Sequence, residues 1–240
     1  MYASRLFKLA ATMAWAALMP VALAGEPLTE RFAEPLGSVP AGWDQHDASD
    51  KKPAGIAPQI AATGRFEGLK LERASRAWDN SALFYTAREF SDFTGTVLIH
   101  RQGISSGQAF GVALRAQKAG YRFDGYYVVV RYAGKLRGIA ICENPVAFND
   151  SGRELAFAPV PENLVSGRDY LLKFSAIGNV IKASLWDEQG SVQIGGEVVF
   201  DGAVGYLSGY FGLRSGFSGG DDGKPVYFRN LQVTPVAATP

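Results

Sequence analysis

The sequence predicts an all-β fold built as a two-sheet antiparallel β-sandwich. From Leu83 onward, short runs rich in Val, Ile, Phe and Tyr are separated by Gly, Asp, Asn or Pro. Several of these runs alternate with a period of two, so their side chains leave opposite faces of a strand and the faces differ in character. No window carries a helical apolar stripe long enough to compete. Many strands joined by tight turns, without helices, bury their apolar faces in a sandwich or a barrel.

The chain begins with a segment outside the fold. Arg5 and Lys8 form a positive start, Leu9 to Leu18 is short and apolar, and Pro20 is followed by Val21-Ala22-Leu23-Ala24. This is the pattern of a secretory signal peptide, with Ala22 and Ala24 as the small pair before a cleavage point. Residues 1–24 are therefore expected to be removed, residues 25–235 to form one β-sandwich domain, and residues 236–240 to be a loose tail. No later segment offers the roughly 18 apolar residues of a membrane helix. The processed protein is expected in the periplasm or outside the cell, with no membrane span.

Residues 25–68 are rich in Pro and Gly and predict an irregular start carrying one or two strands. Leu69–Arg73 is an early candidate strand. Strands are then expected at Leu83–Phe90, Thr94–Arg101, Ala109–Ala116, Gly125–Tyr132, Leu136–Glu143, Asp169–Ile177, Val180–Asp187 and Val226–Thr234, with Tyr206–Leu213 as a Gly-rich aromatic addition. Gly178-Asn179 supplies a hairpin turn, because it accepts the positive φ such a turn needs. Asp187-Glu188-Gln189-Gly190 reads as the next turn and Gly134-Lys135 as another. Gly219 to Pro225 reads as a mobile loop. Glu162-Asn163-Leu164-Val165 allows one helical turn at most.

Alternation also sorts faces. Phe110, Val112 and Leu114 oppose Ala109, Gly111, Ala113 and Arg115. Ile139 and Ile141 oppose Gly138, Ala140 and Cys142. The small members of the two sets could form a shallow floor if both point outward, and glycine in a strand marks close approach by a ligand or another backbone.

Composition narrows the function. The formal net charge is +1, and losing Arg5 and Lys8 leaves the chain close to neutral. There is no basic field for nucleic acid or anionic lipid. Cys142 is the only cysteine, so no internal disulfide forms and the apolar core must carry stability. Lacking a basic neighbour in sequence, Cys142 reads as a buried small hydrophobe.

Ser166-Gly167-Arg168-Asp169-Tyr170-Leu171-Leu172-Lys173-Phe174 followed by Gly178-Asn179-Val180-Ile181-Lys182-Ala183-Ser184-Leu185-Trp186 resembles the paired strands of concanavalin A-like jelly rolls. Gly212-Leu213-Arg214-Ser215 with Val226-Tyr227-Phe228-Arg229-Asn230-Leu231-Gln232-Val233 resembles their closing strands, and Gly125-Tyr126-Tyr127-Val128 a middle one. Pro40-Ala41-Gly42-Trp43 is similar to the opening of laminin-G-like and bacterial sugar-associated members. The resemblance spans residues 32–234 and implies the jelly-roll fold with carbohydrate recognition. The glucanase strand Glu-x-Asp-x-x-Glu is absent. Arg229 stands where many relatives have the Asp that follows the Phe of the closing strand, some of them binding calcium nearby, so no calcium site is carried over.

The expected ligand is a glycan or polysaccharide lying on the small-residue floor. His100, Arg115, Tyr127 and Arg131 would edge the floor if their strands share that face, and Trp78, in the polar loop Arg76-Ala77-Trp78-Asp79-Asn80, is the candidate exposed aromatic. Trp43, Trp186, Tyr206, Tyr210 and Phe217 are further aromatics, most of them expected to pack. Asp124, Glu143, Asp150 and Glu154 are the acids a glycoside hydrolase would draw on, but no two share a strand face at short spacing. A polysaccharide lyase would use His100, Tyr127 and Arg131. The reading leans away from catalysis, with those two enzyme classes and an envelope structural domain as alternatives. Asp44, His46, Asp47 and Asp50 read as a polar surface turn, because the EF-hand pattern is missing. No cofactor is expected: calcium is the one candidate these acids raise, and the residues do not support it. Two His and one Cys do not make a structural zinc site.

The protein recovered after export is expected to begin at Gly25. N-terminal sequencing checks this, and an intact Met1 terminus is the contrary result.

Overall fold

A computed structural model describes residues 25–47, 59–63, 66–71, 81–102, 108–119, 122–131, 137–143, 153–162, 164–217 and 225–237. It contains two antiparallel sheets packed face to face, and no helix among these residues. The eight-stranded sheet takes β1 (Leu28–Glu30), β3 (Gln59–Thr63), β4 (Phe66–Leu71), β6 (Phe93–Arg101), β11 (Asp169–Ile177), β12 (Val180–Asp187), β13 (Gln193–Asp201) and β15 (Val226–Pro235). Its order is β13-β12-β11-β6-β15-β4-β3, with β1 also against β15. The seven-stranded sheet takes β2 (Trp43–Asp47), β5 (Ser81–Phe90), β7 (Gln108–Ala119), β8 (Arg122–Arg131), β9 (Gly138–Glu143), β10 (Arg153–Pro159) and β14 (Gly209–Phe217), in the order β10-β9-β8-β7-β14-β5-β2.

The expected faces are the observed ones on the inner side. Phe110, Val112, Leu114, Ile139 and Ile141 all lie in the core between the sheets. Phe174 of β11 stacks on Phe211 of β14 across that core, with ring centroids 5.4 Å apart. Trp43, one of the aromatics weighed for stacking, is buried there against Phe32, Tyr85 and Phe211.

Several expectations are corrected. Asp44 to Asp47 is not a surface turn but edge strand β2, paired along β5. β10 and β13 were not expected. Both are sheet-edge strands with largely exposed sequences, Arg153–Pro159 and Gln193–Asp201, so neither shows strong apolar alternation. Asn163, within the segment Glu162 to Val165 allowed one helical turn at most, lies outside the described residues. The proposed Gly134-Lys135 turn and the Gly219–Lys224 part of the proposed loop lie outside the described residues.

Arg115 does not follow Ala109, Gly111 and Ala113 to one face. The ladder shifts between Leu114 and Gln117, and Arg115 adopts a φ of 52°. This β-bulge re-aims the side chain. Two glycines make room for it. A Cβ on Gly209 would stand 2.4 Å from the Arg115 carbonyl carbon, and one on Gly125 would stand 2.8 Å from Ala116 Cα.

The Asp187 turn forms as expected, with Gly190 at a φ of 70°. Asp187 accepts bonds from the Ser191 and Val192 amides at 2.7 and 3.0 Å and from the Ser191 hydroxyl at 2.7 Å. These donors, the Val192 amide foremost and then the Ser191 hydroxyl, hold the Asp187 carboxyl below its ordinary range. A depressed folded-state pKa stabilises the fold above the unfolded value of about 3.9, and the stabilisation is lost as pH falls through the folded value. Urea unfolding in steps below pH 4 is expected to show the wild type losing its advantage over Asp187→Asn. Parallel curves for the two proteins would contradict this.

Candidate functional site

The outer face of the seven-stranded sheet carries the expected small residues. Pairing register sets Phe84, Gly212, Ala113, Tyr127 and Cys142 opposite one another on successive strands. The adjacent row on the same face is Ala82, Arg214, Gly111, Val129 and Ala140, and the next holds Ala109, Arg131 and Gly138. Phe84, Ala113, Phe123, Tyr127, Val129, Ala140 and Cys142 form a second apolar cluster, distinct from the core between the sheets.

The floor is not open, as it would be for a shallow groove. Tyr127 and Val129 are 2% exposed, and Ala140 and Cys142 are fully buried. The small residues have a packing role that alternation alone did not show. Phe84 of β5 lies across Gly212, whose hypothetical Cβ would meet the ring at 2.6 Å. It reaches Phe123 of β8, and the two rings stack at 3.9 Å and 13°. Tyr210 abuts Phe123 edge-on. Bare positions on β14 and β7 let rings from flanking strands meet over them.

The structure separates the sequence-predicted site residues. Tyr127 and Arg131 share this face. Tyr127 donates its hydroxyl hydrogen to the Phe123 carbonyl at 2.5 Å. Arg131 pairs with Glu154 at 2.7 Å and lies over the Phe157 ring. His100 does not join them. It belongs to β6 in the other sheet, where it meets Asp169 at 2.5 Å and Tyr227 edge-on. Arg115 does not join them either. Fully buried, it donates from Nε to the Ser91 carbonyl at 2.7 Å, from Nη1 to the Gly178 carbonyl at 2.8 Å and from Nη2 to Asp92 at 2.8 Å. Burial lowers its pKa from the ordinary value, opposed by the charge of Asp92. It ties a strand of one sheet to a hairpin turn of the other. Trp78 lies outside the described residues. Trp186 sits on the outer face of the eight-stranded sheet's ladder beside Leu171, with Lys173 3.7 Å from its ring centre.

Two of the candidate acids are held in ion pairs. Glu143 pairs with Arg153 and Glu154 with Arg131, each at 2.7 Å. Asp150 lies outside the described residues. No three His, Cys, Asp or Glu side chains gather into a metal-like group among the described residues. Arg229, the departure noted in the closing strand, stands 3.8 Å from Asp169 and 3.7 Å from Glu188.

Arg214 is the residue that sequence reasoning missed. It is 2% exposed, yet none of its three guanidinium nitrogens has a hydrogen-bond partner among the described residues. Its guanidinium lies 5.2 Å from the centre of the Tyr127 ring. Arg214 is on β14 and Tyr127 on β8, with β7 between them. The side chain can cross because Gly111 and Ala113 put nothing in its way. A cation over a desolvated ring gains about 2 kcal/mol. A buried charge stripped of its partner costs roughly 3–5 kcal/mol. The ring therefore does not compensate the guanidinium. The available signal was period two: Arg214 shares its side of the strand with Gly212 and Gly216.

No protein-family model and no curated protein matches the sequence. Solved structures do match in shape. The carbohydrate-binding module CBM66 from Bacillus subtilis superposes with a TM-score of 0.53 at 18% identity, covering 80% of this chain and 95% of that one. The exoplasmic/lumenal domain of VIP36 in a Ca²⁺-bound form gives a TM-score of 0.59 at 13% identity, covering 89% and 91%. The chain has the concanavalin A-like jelly-roll fold. Lectin I-B4 from Griffonia simplicifolia, metal-free, shares this jelly roll at a TM-score of 0.52 and 13% identity, covering 87% and 98%. At these identities the likeness is one of fold.

Arg115 and Arg214, both buried, should respond oppositely to the same change. Arg115→Met is expected to lower stability by roughly 2–4 kcal/mol, because it leaves two carbonyls and Asp92 short of donors. Arg214→Met, in ligand-free protein, is expected to raise it by about 1–3 kcal/mol by removing an uncompensated charge. Urea melts of the two variants check both signs, and destabilisation by Arg214→Met would show that the guanidinium has an internal partner.

Proposed function

We propose that this is an exported carbohydrate-binding protein that recognises a glycan on the outer face of its seven-stranded sheet. The observation that carries the reading is the buried, unpaired guanidinium of Arg214 lying over Tyr127. A protein that gains nothing from such a group when empty has a use for it when occupied, since function is where local stability is given up. Five donors in a fixed fork suit a ligand rich in oxygen acceptors. The neighbouring rings and small residues suit the C–H faces of a sugar. The fold likeness supports the same reading, because the matched structures include a carbohydrate-binding module and a lectin. Export rests on the sequence of residues 1–24.

The site differs from the one expected from sequence. Tyr127 and Arg131 stay in it, Arg214 enters, and His100 and Arg115 leave. A screen of immobilised glycans with the processed protein is expected to give hits whose affinity falls at least tenfold in Arg214→Met and in Arg131→Ala. Circular dichroism of the variants must match the wild type. Hits of undiminished affinity in both variants would place recognition elsewhere.

A further inference from the structure

Deepening the glycan-binding reading and resting on it, we infer that the ligand is acidic: a glycan whose carboxylate, as in a uronate residue, is taken by Arg214. The argument is one of charge on a single sheet face. On this face Arg131 is already neutralised by Glu154 at 2.7 Å; the Arg153–Glu143 pair, also at 2.7 Å, lies on the core side of the same sheet. Arg214 alone among these arginines has neither an ion pair nor a hydrogen bond among the described residues, while being 2% exposed. A neutral hydroxyl would satisfy one donor and leave the charge unmatched in a closed environment. A carboxylate satisfies two donors in parallel and cancels the charge, which is the planar, bidentate match that guanidinium makes best.

The surroundings accept such a group. Gly111 stands directly opposite Arg214, and Ala82 flanks it on the other strand, so no large side chain on the paired strands competes for its fork. Tyr127 backs the guanidinium with its ring and sends its hydroxyl away to the Phe123 carbonyl, so the hydroxyl does not occupy the fork. Arg131, whose side chain keeps 11% exposure, and Glu154, at 42%, mark the more open flank of the same face. A sugar chain entering from there would meet a neutral ion pair first and the unmatched cation further in. That order favours a ligand carrying its acid on an internal or terminal sugar over one that is uniformly neutral.

The test uses the processed protein and three probes: an oligouronate, the same oligosaccharide after carboxyl reduction, and free acetate. Isothermal titration is expected to show binding of the oligouronate at least tenfold tighter than its reduced form. Arg214→Met is expected to remove that preference, and Arg214→Lys, which keeps the charge without the fork, to recover part of it. Equal binding of acid and reduced forms, with both lost in Arg214→Met, would overturn the acidic ligand and leave the glycan site standing. Acetate binding as tightly as the oligouronate would overturn it as well, by showing an anion pocket without sugar recognition. Binding of neither oligosaccharide, with neutral hits on the glycan screen, would also overturn the acid requirement, whereas absence of all glycan hits would overturn the broader reading. The comparison of acid with reduced probe needs only wild-type protein, so it stands even where a variant misfolds.

Discussion

The outer face of the seven-stranded sheet is shaped by what its middle strands lack. Gly212 on β14 and Gly111 and Ala113 on β7 stand in the rows between much larger groups. A sheet normally spaces its side chains upright, each flanked by a cross-strand neighbour. Here the missing neighbours let Phe84 reach Phe123 and let Arg214 reach Tyr127, each across the bare strand or strands between them. Any larger residue at Gly212 would strike the Phe84 ring. The aromatic stack and the guanidinium position thus depend on the same two strands.

That dependence links the two arginines that could be mistaken for one another in the sequence. They lie on adjacent strands, both are buried, and each stands two residues after a small one, Ala113 or Gly212. The bulge at Arg115 separates them. It takes one guanidinium out of the alternating row and into the end of the sandwich, where Ser91, Asp92 and Gly178 use all three of its nitrogens. Arg214 stays in its row and ends without a donor-acceptor match. One is a fastening between sheets, in which every nitrogen is used. The other is a charge held in place by packing rather than by hydrogen-bond partners.

The inner face was legible in the sequence because burial acts residue by residue. Phe110, Val112 and Leu114 alternate regardless of which strand they meet, so period two announces them. The small set Ala109, Gly111, Ala113 with Gly138, Ala140 and Cys142 was legible for the same reason, and register places the two sets on one face. What alternation cannot carry is partnership. His100 has the spacing of an outward residue, but its strand joins β11 and β15 in the other sheet, a choice made by contacts between distant parts of the chain. Arg115 was lost to one extra residue in β7, since a single-residue slip exchanges faces. Arg214 was passed over because its isolation exists only once every neighbouring strand has been placed. The edge strands β10 and β13 escaped for a simpler reason: with one side unpaired and much of each strand exposed, they need little apolar alternation.

The two outer faces differ in how their charges close. On the eight-stranded sheet, Asp169 lies between His100 and Arg229, Arg229 reaches on to Glu188, and Lys173 rests on Trp186. His100 and Asp169 are nearly buried but meet each other directly, while Arg229 and Glu188 keep 27% and 38% side-chain exposure and so stay within reach of water. On the outer face of the seven-stranded sheet Arg131 closes on Glu154 near the β10 edge, and Arg214, two strands from Arg131, does not close. Water screens the mismatches of an exposed face, so an odd charge there carries little information. Behind a closed face the same mismatch keeps most of its energy. An unmatched guanidinium is therefore informative where it is deep, and it is the depth of Arg214, more than its charge, on which the proposed site rests.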